Sequence, residues 1–196
     1  EEYASDATEA AVLSARQHPM RILTLIPRPG RGPDQIDAQV MVGGDDGPGE
    51  VAIVRLRGDR AGHANSVVIP LLLPDTPVVS WWPTDPPPVP ADDPIGRHSQ
   101  RRITDLATSG DPLAALRERQ AGYVPGDSDL AWTRLTSWRS ALASLLDDGA
   151  TIATGASVEA EADNPSAILL AAWMRWALDV PVDLTPVAGP GITHVQ

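Results

Sequence analysis

The chain has no cysteine, no lysine and no phenylalanine. The first absence excludes disulfides, thiolate metal sites, thiol nucleophiles and an intrinsic thiol switch. The second excludes a Schiff-base lysine and a phosphate-loop lysine. All 15 basic residues are arginine, a usage that a GC-rich genome produces without functional demand. Positive charge is itself scarce. With 26 acidic residues the net charge is −11, which argues against a nucleic-acid binder, because that affinity rests on neutralising phosphates. The same excess favours solubility and a basic partner surface. Long apolar runs are also missing. The run Val67–Leu73 contains Pro70 and falls far short of the roughly 20 residues that span a bilayer. No arginine-led apolar segment opens the chain, so no secretory signal is visible, and a cytoplasmic, membrane-free protein is expected. The chain starts at Glu1 rather than Met, and its last residues, Gly191–Gln196, read as a strand cut short.

Catalytic signatures are absent too. The four histidines, His18, His63, His98 and His194, stand singly, with no HExxH or GxSxG around them, so metal and triad chemistry have little support. Asp45 and Asp46 lie in a Gly-rich loop without the alternating oxygen ligands of a calcium loop. Asp92/Asp93 and Asp147/Asp148 are sequence neighbours, which do not face each other on a helix. No metal and no cofactor is expected.

What is present is an ordinary globular composition, 42% hydrophobic and 21% charged over 196 residues, enough for one sizeable core or two small ones. The most strongly patterned stretch is 126–148, GDSDLAWTRLTSWRSALASLLDD. Asp127 and Ser128 can cap a helix N-terminus. Ala131, Leu135, Trp138, Leu142 and Leu145 then recur in steps of four and three, as one helical stripe does. Gly149 can close the helix in the left-handed conformation. A single long helix is predicted.

Elsewhere the pattern predicts strands over 21–26, 35–42, 51–56, 78–82, 101–106, 151–162 and 192–196. The second and third suit an antiparallel pair, and alternation of Ile36, Ala38, Val40 and Val42 marks the second as half-buried. Helices are predicted over 6–17, with Ala7, Ala11, Val12 and Ala15 inward, and over 61–73, where Pro70 must end, kink or restart the helix. Two more are predicted over 111–120, with Pro112 in the first turn, and over 164–178, with Ile168, Leu169, Ala172, Trp173 and Trp176 inward. Strands alternating with helices mean an α/β fold: layered mixed sheets with flanking helices, in two α/β subdomains of residues 1–124 and 125–196.

Two clusters of residues carry possible binding chemistry. Arg28, Gly30, Arg31 and Gly32 follow a strand and are candidates to cradle a phosphate; an ordinary solvent loop reads equally from them. Gly58-Asp59-Arg60-Ala61-Gly62 lacks a third glycine in register for a dinucleotide fingerprint and reads as a helix-opening turn. The second cluster draws on six tryptophans. Large rings dominate core burial, which accounts for them all as packing. Trp132, however, lies about 60° off its helical stripe at roughly 100° per residue. Trp82 and Trp132 with Arg101, Arg102, Arg134 and Arg139 form a candidate Arg/Trp docking surface, with Asp127 and Asp129 in the same crowded turns. Asp105, Asp127 and Asp129 are the candidate internal partners of Arg134 and Arg139.

The blocks PLLLPDTPVVSWWP (70–83), RRITDLA (101–107) and GDSDLAWTRLTSWR (126–139) resemble the signature wording of the OpcA family, the glucose-6-phosphate dehydrogenase assembly proteins. RILTLIPRPG, the run from VAIVRLRG to ANSVV, NPSAILLAAWM and GPGIT follow in family order, over about Arg21 to Val195, and the residue usage resembles actinobacterial members. The resemblance implies a non-catalytic partner and allosteric effector that promotes assembly or activation of glucose-6-phosphate dehydrogenase, and so NADPH supply by the pentose phosphate pathway. Some relatives, notably cyanobacterial ones, are tied to thiol control; the absence of cysteine sets this chain apart from them. A sugar-phosphate or nucleotide sensor using Arg28–Gly32, Arg101 and Arg102 is the alternative reading.

Overall fold

A computed structural model describes residues 2–43, 49–147 and 153–196. Asp45, Asp46, Asp148, Gly149 and Ile152 lie outside the described residues. The chain divides into two compact units, Glu1–Pro77 and Val78–Gln196. The boundary expected between residues 124 and 125 falls within the second, in the turn ahead of its third strand.

The first unit opens with helix α1 (Glu2–Ala15), followed by β1 (Arg21–Arg28), β2 (Gln35–Val42) and β3 (Glu50–Arg57). The sheet order is β1–β3–β2, with β1 parallel and β2 antiparallel to β3. Ala11, Val12 and Ala15 of α1 pack against Ile22, Val51 and Ile53. Inside that contact Thr8 donates to the Ala4 carbonyl (2.7 Å) and shares a hydrogen bond with Thr24 (2.9 Å). On the other face of β3, Ala52, Val54 and Leu56 are buried. The segment after β3 is a 3-10 turn (Gly58–His63), helix α2 (Ala64–Val68) and a second 3-10 turn (Ile69–Leu71). Pro70 therefore restarts the chain in a new short turn, since it cannot donate to the helix behind it. The half-burial expected of β2 is not found: Ile36, Val40 and Val42 are exposed. As an edge strand, β2 leaves Ile36, Val40 and Val42 uncovered among the described residues.

The second unit holds two small sheets. In one, β4 (Val79–Trp81), β5 (Arg101–Thr104) and β6 (Asp127–Asp129) run parallel in that order. In the other, β7 (Ala156–Ala160) lies between β8 (Val182–Pro186), parallel to it, and β9 (Ile192–Val195), antiparallel to it. Helix α3 (Pro112–Ala121) is capped by the Asp111 carboxylate on the Ala114 amide at 2.9 Å. Helix α6 (Pro165–Leu178) is capped likewise by Asn164 on Ala167 (3.0 Å) and closed by Asp179 at φ 55°.

The predicted long helix over 126–148 is three elements instead. Residues 127–129 form β6, then come helices α4 (Leu130–Thr133) and α5 (Thr136–Leu146), separated at Arg134–Leu135. Asp127 and Asp129 are not helix-opening residues in solvent. Both are drawn into register beside Arg102 and Thr104, and Asp129, extended at φ −129°, is the N-cap of α4. At the break the Leu135 amide reaches back three residues to the Trp132 carbonyl (3.1 Å), a tighter 3-10 closure. That rotation keeps Leu135 fully buried while Leu145, at the far end of the supposed stripe, is exposed.

The core of this unit gathers Leu135, Val158, Ala160, Ala167, Leu170 and Met174, with Trp132, Trp138, Leu142 and Trp173 packed around it. The inward face of α6 is thus Ala167, Leu170 and Met174. Ala172 and Trp176 point outward, Trp176 at 81% exposure, because the helix is apolar on nearly every side and its periodicity does not name the buried one. Strand β8 was not legible in the sequence.

Replacing Leu135 by Ala removes a fully buried side chain and is expected to cost about 2–5 kcal/mol. Trp176→Ala is expected to stay within about 0.5 kcal/mol despite deleting a larger ring. Urea unfolding of the two variants tests this assignment of inside and outside.

Candidate functional site

Parallel strands are normally apolar on both faces, yet β5 and β6 read RRIT and DSD. Charge pairing stands in for apolar packing. The register sets Arg102 beside Asp127 and Thr104 beside Asp129. Arg102 is buried; its Nε donates to Asp127, Nη1 to the Ser99 carbonyl and Nη2 to the Pro125 carbonyl at 3.0 Å. The second oxygen of Asp127 accepts the Val124 amide at 2.9 Å.

Asp129 accepts four hydrogen bonds. Its Oδ1 takes the amides of Leu106 (3.1 Å) and Ala131 (2.9 Å); its Oδ2 takes Thr104 Oγ1 (2.6 Å) and Arg119 Nη1 (2.9 Å). A third pair joins Asp105 to Arg134 in a two-pronged contact of 2.8 and 2.6 Å, the fork geometry that suits guanidinium and carboxylate. Asp105 also caps the turn after β5 through the Ala107 amide (3.0 Å). Burial pushes the Asp105 carboxyl up, but hydrogen bonds from Arg134 and the Ala107 amide, with the charges of Arg134 and Arg119, outweigh it and hold the group below its ordinary value. The hydrogen bond to Asp105 raises Arg134 above its ordinary value against the opposing effect of burial.

Of the eight residues expected to form a docking surface, Arg102, Asp127 and Asp129 are therefore internal ties. Arg102, at 6% exposure, is no surface residue. Trp82 is half-buried, its ring beside Gly96, where a Cβ would also lie 1.9 Å from the Pro90 carbonyl. Arg101 is exposed at the opening of β5, the other end of the strand from Asp105 and Arg134. The structure does bring Trp132 and Arg139 together. The Arg139 guanidinium lies 3.9 Å from the centre of the Trp132 ring, an attractive cation–ring stack. Its Nε is buried without a partner, and among the described residues no carboxylate pairs with it. Arg119 and Thr104 escaped the sequence reading. The one available signal was that Asp129 has more acceptor capacity than a helix cap uses.

Arg28 ends β1, Arg31 is exposed, and the Gly32 amide turns back to the Gly30 carbonyl (3.1 Å). The Asp34 carboxylate accepts the Asp59 amide at 2.9 Å, occupying the helix-opening donor that an anion would use. Gly58, at φ 63°, is needed there, since a Cβ would stand 2.5 Å from Asp34 Oδ1. Among the described residues no three His, Asp or Glu side chains gather to hold a metal ion, and no helix is long and apolar enough to cross a membrane.

The fold and its ties thus define an α/β protein whose second unit closes several charges on one another and holds the Arg139 guanidinium on the Trp132 ring. Residues 11–121 match the family model described as glucose-6-phosphate dehydrogenase subunit N-terminal domain, and residues 125–196 match the corresponding C-terminal domain. The chain belongs to the OpcA family of glucose-6-phosphate dehydrogenase assembly proteins, and glucose-6-phosphate dehydrogenase is the partner that this family serves. No curated protein and no solved structure matches the chain.

The depressed Asp105 fixes a sign. A carboxyl held below its unfolded value contributes stability that is complete above that value and is lost as pH falls through the folded one. Below about pH 4, Asp105→Asn should therefore lose stability less steeply with acid than the parent does. Arg134→Ala is expected to cost about 1–3 kcal/mol by leaving Asp105 short of donors; Arg134 is half exposed, so solvent screening keeps the pair itself worth less than that. Thermal unfolding across acid pH measures both.

Proposed function

We propose that the chain is a non-catalytic effector of glucose-6-phosphate dehydrogenase that acts in the cytoplasm and docks through the surface around Trp132 and Arg139. The observation that carries the docking reading is the unpaired, ring-stacked Arg139 within a chain of this family. A guanidinium already immobilised on an indole loses little freedom on binding, and Arg and Trp are the residues that most often anchor interfaces. A carboxylate of the dehydrogenase is its natural complement. Arg134 borders the same helix break, and Asp129 caps the short helix that carries Trp132.

An effector of this kind changes activity only by binding one conformational or oligomeric state of the enzyme more tightly than another. Activation then equals that difference in affinity, and no turnover by the chain itself is needed. Mixing the chain with its cognate dehydrogenase should yield co-elution and a shift in mass or in substrate saturation. Arg139→Ala should weaken docking about tenfold or more, roughly 1.4 kcal/mol, while the chain stays folded and loses only the roughly 0.5–2 kcal/mol of the ring stack. Parental affinity in that variant would move the docking site elsewhere; the absence of any complex would remove the effector reading.

A further inference from the structure

Strand β2 has β3 on one side, and among the described residues no strand on the other. In an antiparallel pair alternate residues aim their backbone N–H and C=O groups away from the neighbour. The outer side of β2 is therefore an open row of donors and acceptors along eight residues, a template for a further strand. The usual guards are missing. QIDAQVMV contains no proline and one charge, Asp37, and its register with β3 runs unbroken from Gln35 to Val42. Ile36, Ala38 and Val40 stand opposite Leu56, Val54 and Ala52, so they extend the buried apolar face of β3. Yet Ile36, Val40 and Val42 are 48%, 59% and 80% exposed.

We propose that this edge pairs with β2 of a second copy of the chain, joining two three-stranded sheets into one continuous sheet. A two-fold axis normal to the sheet keeps each face on its own side. With the axis at Gln39, Ile36 opposes the copy's Val42, Ala38 opposes Val40, and the apolar stripe runs unbroken across the junction. Asp37 then faces Met41, so the strand's one charge never meets itself. Moving the axis to residue 37 sets Asp37 against Asp37, and like charges directly opposite are unfavourable. Moving it to residue 38 sets Asp34, already engaged by the Asp59 amide, against Val42. Centred on Gln39, Ile36–Val42 pairs with its own copy over nearly the whole strand without opposing like charges, and this self-complementarity points to a second copy rather than an unrelated strand.

The absence of native cysteine makes the test clean. Under mild oxidation Gln39→Cys should form a disulfide-linked dimer. Asp37→Cys should not, because its copy lies four residue steps away, roughly 13 Å, beyond disulfide reach. Light scattering should give a dimer for the parent at micromolar concentration. The doubly substituted Val40→Lys, Val42→Lys chain should be a folded monomer whose melting temperature, unlike the parent's, does not vary with protein concentration. A parent that is monomeric throughout, a dimer that survives the lysines, or equal cross-linking at positions 37 and 39 would each overturn the proposal. So would protection of the β2 amides from hydrogen exchange that arises only when the dehydrogenase is added, which would assign the edge to the enzyme.

Discussion

The second unit depends on a single carboxylate. Asp129 receives the hydroxyl of β5, the amide that follows β5, a guanidinium from α3 and the first free amide of α4. Its backbone meanwhile continues the β5–β6 ladder. Each strand of this sheet has only three or four residues, too few to hold together by apolar area alone. Asp129 and the Arg102–Asp127 pair supply the missing cohesion. They also explain why Arg102 donates to backbone carbonyls as well as to a side chain. A buried guanidinium must satisfy donors in several directions at once, and loop carbonyls of the residues around 99 and 125 lie where side chains could not converge.

Much of the fold is readable from residue pattern. The edges of β1, β2 and α6 are punctuated by proline, glycine and capping residues, and the β2–β3 antiparallel pair follows from alternation on both sides of a Gly-rich loop. The errors have a common cause. A stretch such as 126–148 was assigned by its apolar period, but its first residues answer to polar partners far away in sequence, at 102, 104 and 119. Local pattern holds no record of those partners. The same holds for the inward face of α6: a helix with apolar residues all round leaves the choice of face to its neighbours, and Ser166 settles part of it by donating to the Ala131 carbonyl of α4 at 3.0 Å.

Of the candidate residues, Trp132 meets Arg139 and Arg134 meets Asp105, while Arg102, Asp127 and Asp129 are taken up by internal hydrogen bonds. An arginine beside an aspartate one strand away closes on it. Arg139 differs because the nearest feature offered to it is an aromatic face, which attracts the cation without neutralising it. The distinction between a tie and an anchor is thus one of counter-charge rather than residue type, and it becomes visible only once the strands are placed side by side.

The break between α4 and α5 bears on that anchor. In a straight helix residues 132 and 139 are about 10 Å apart along the axis, with two full turns between them. Here the tightened turn at Arg134–Leu135 intervenes, and ring and guanidinium meet at 3.9 Å. The feature is therefore conformational although its residues are close in sequence. A linear peptide copying this segment would carry the same letters but neither the break nor the sheet and core that fix where Trp132 sits. Under the docking proposed above, recognition would read whether the second unit has folded, and an unfolded chain would not present the stack.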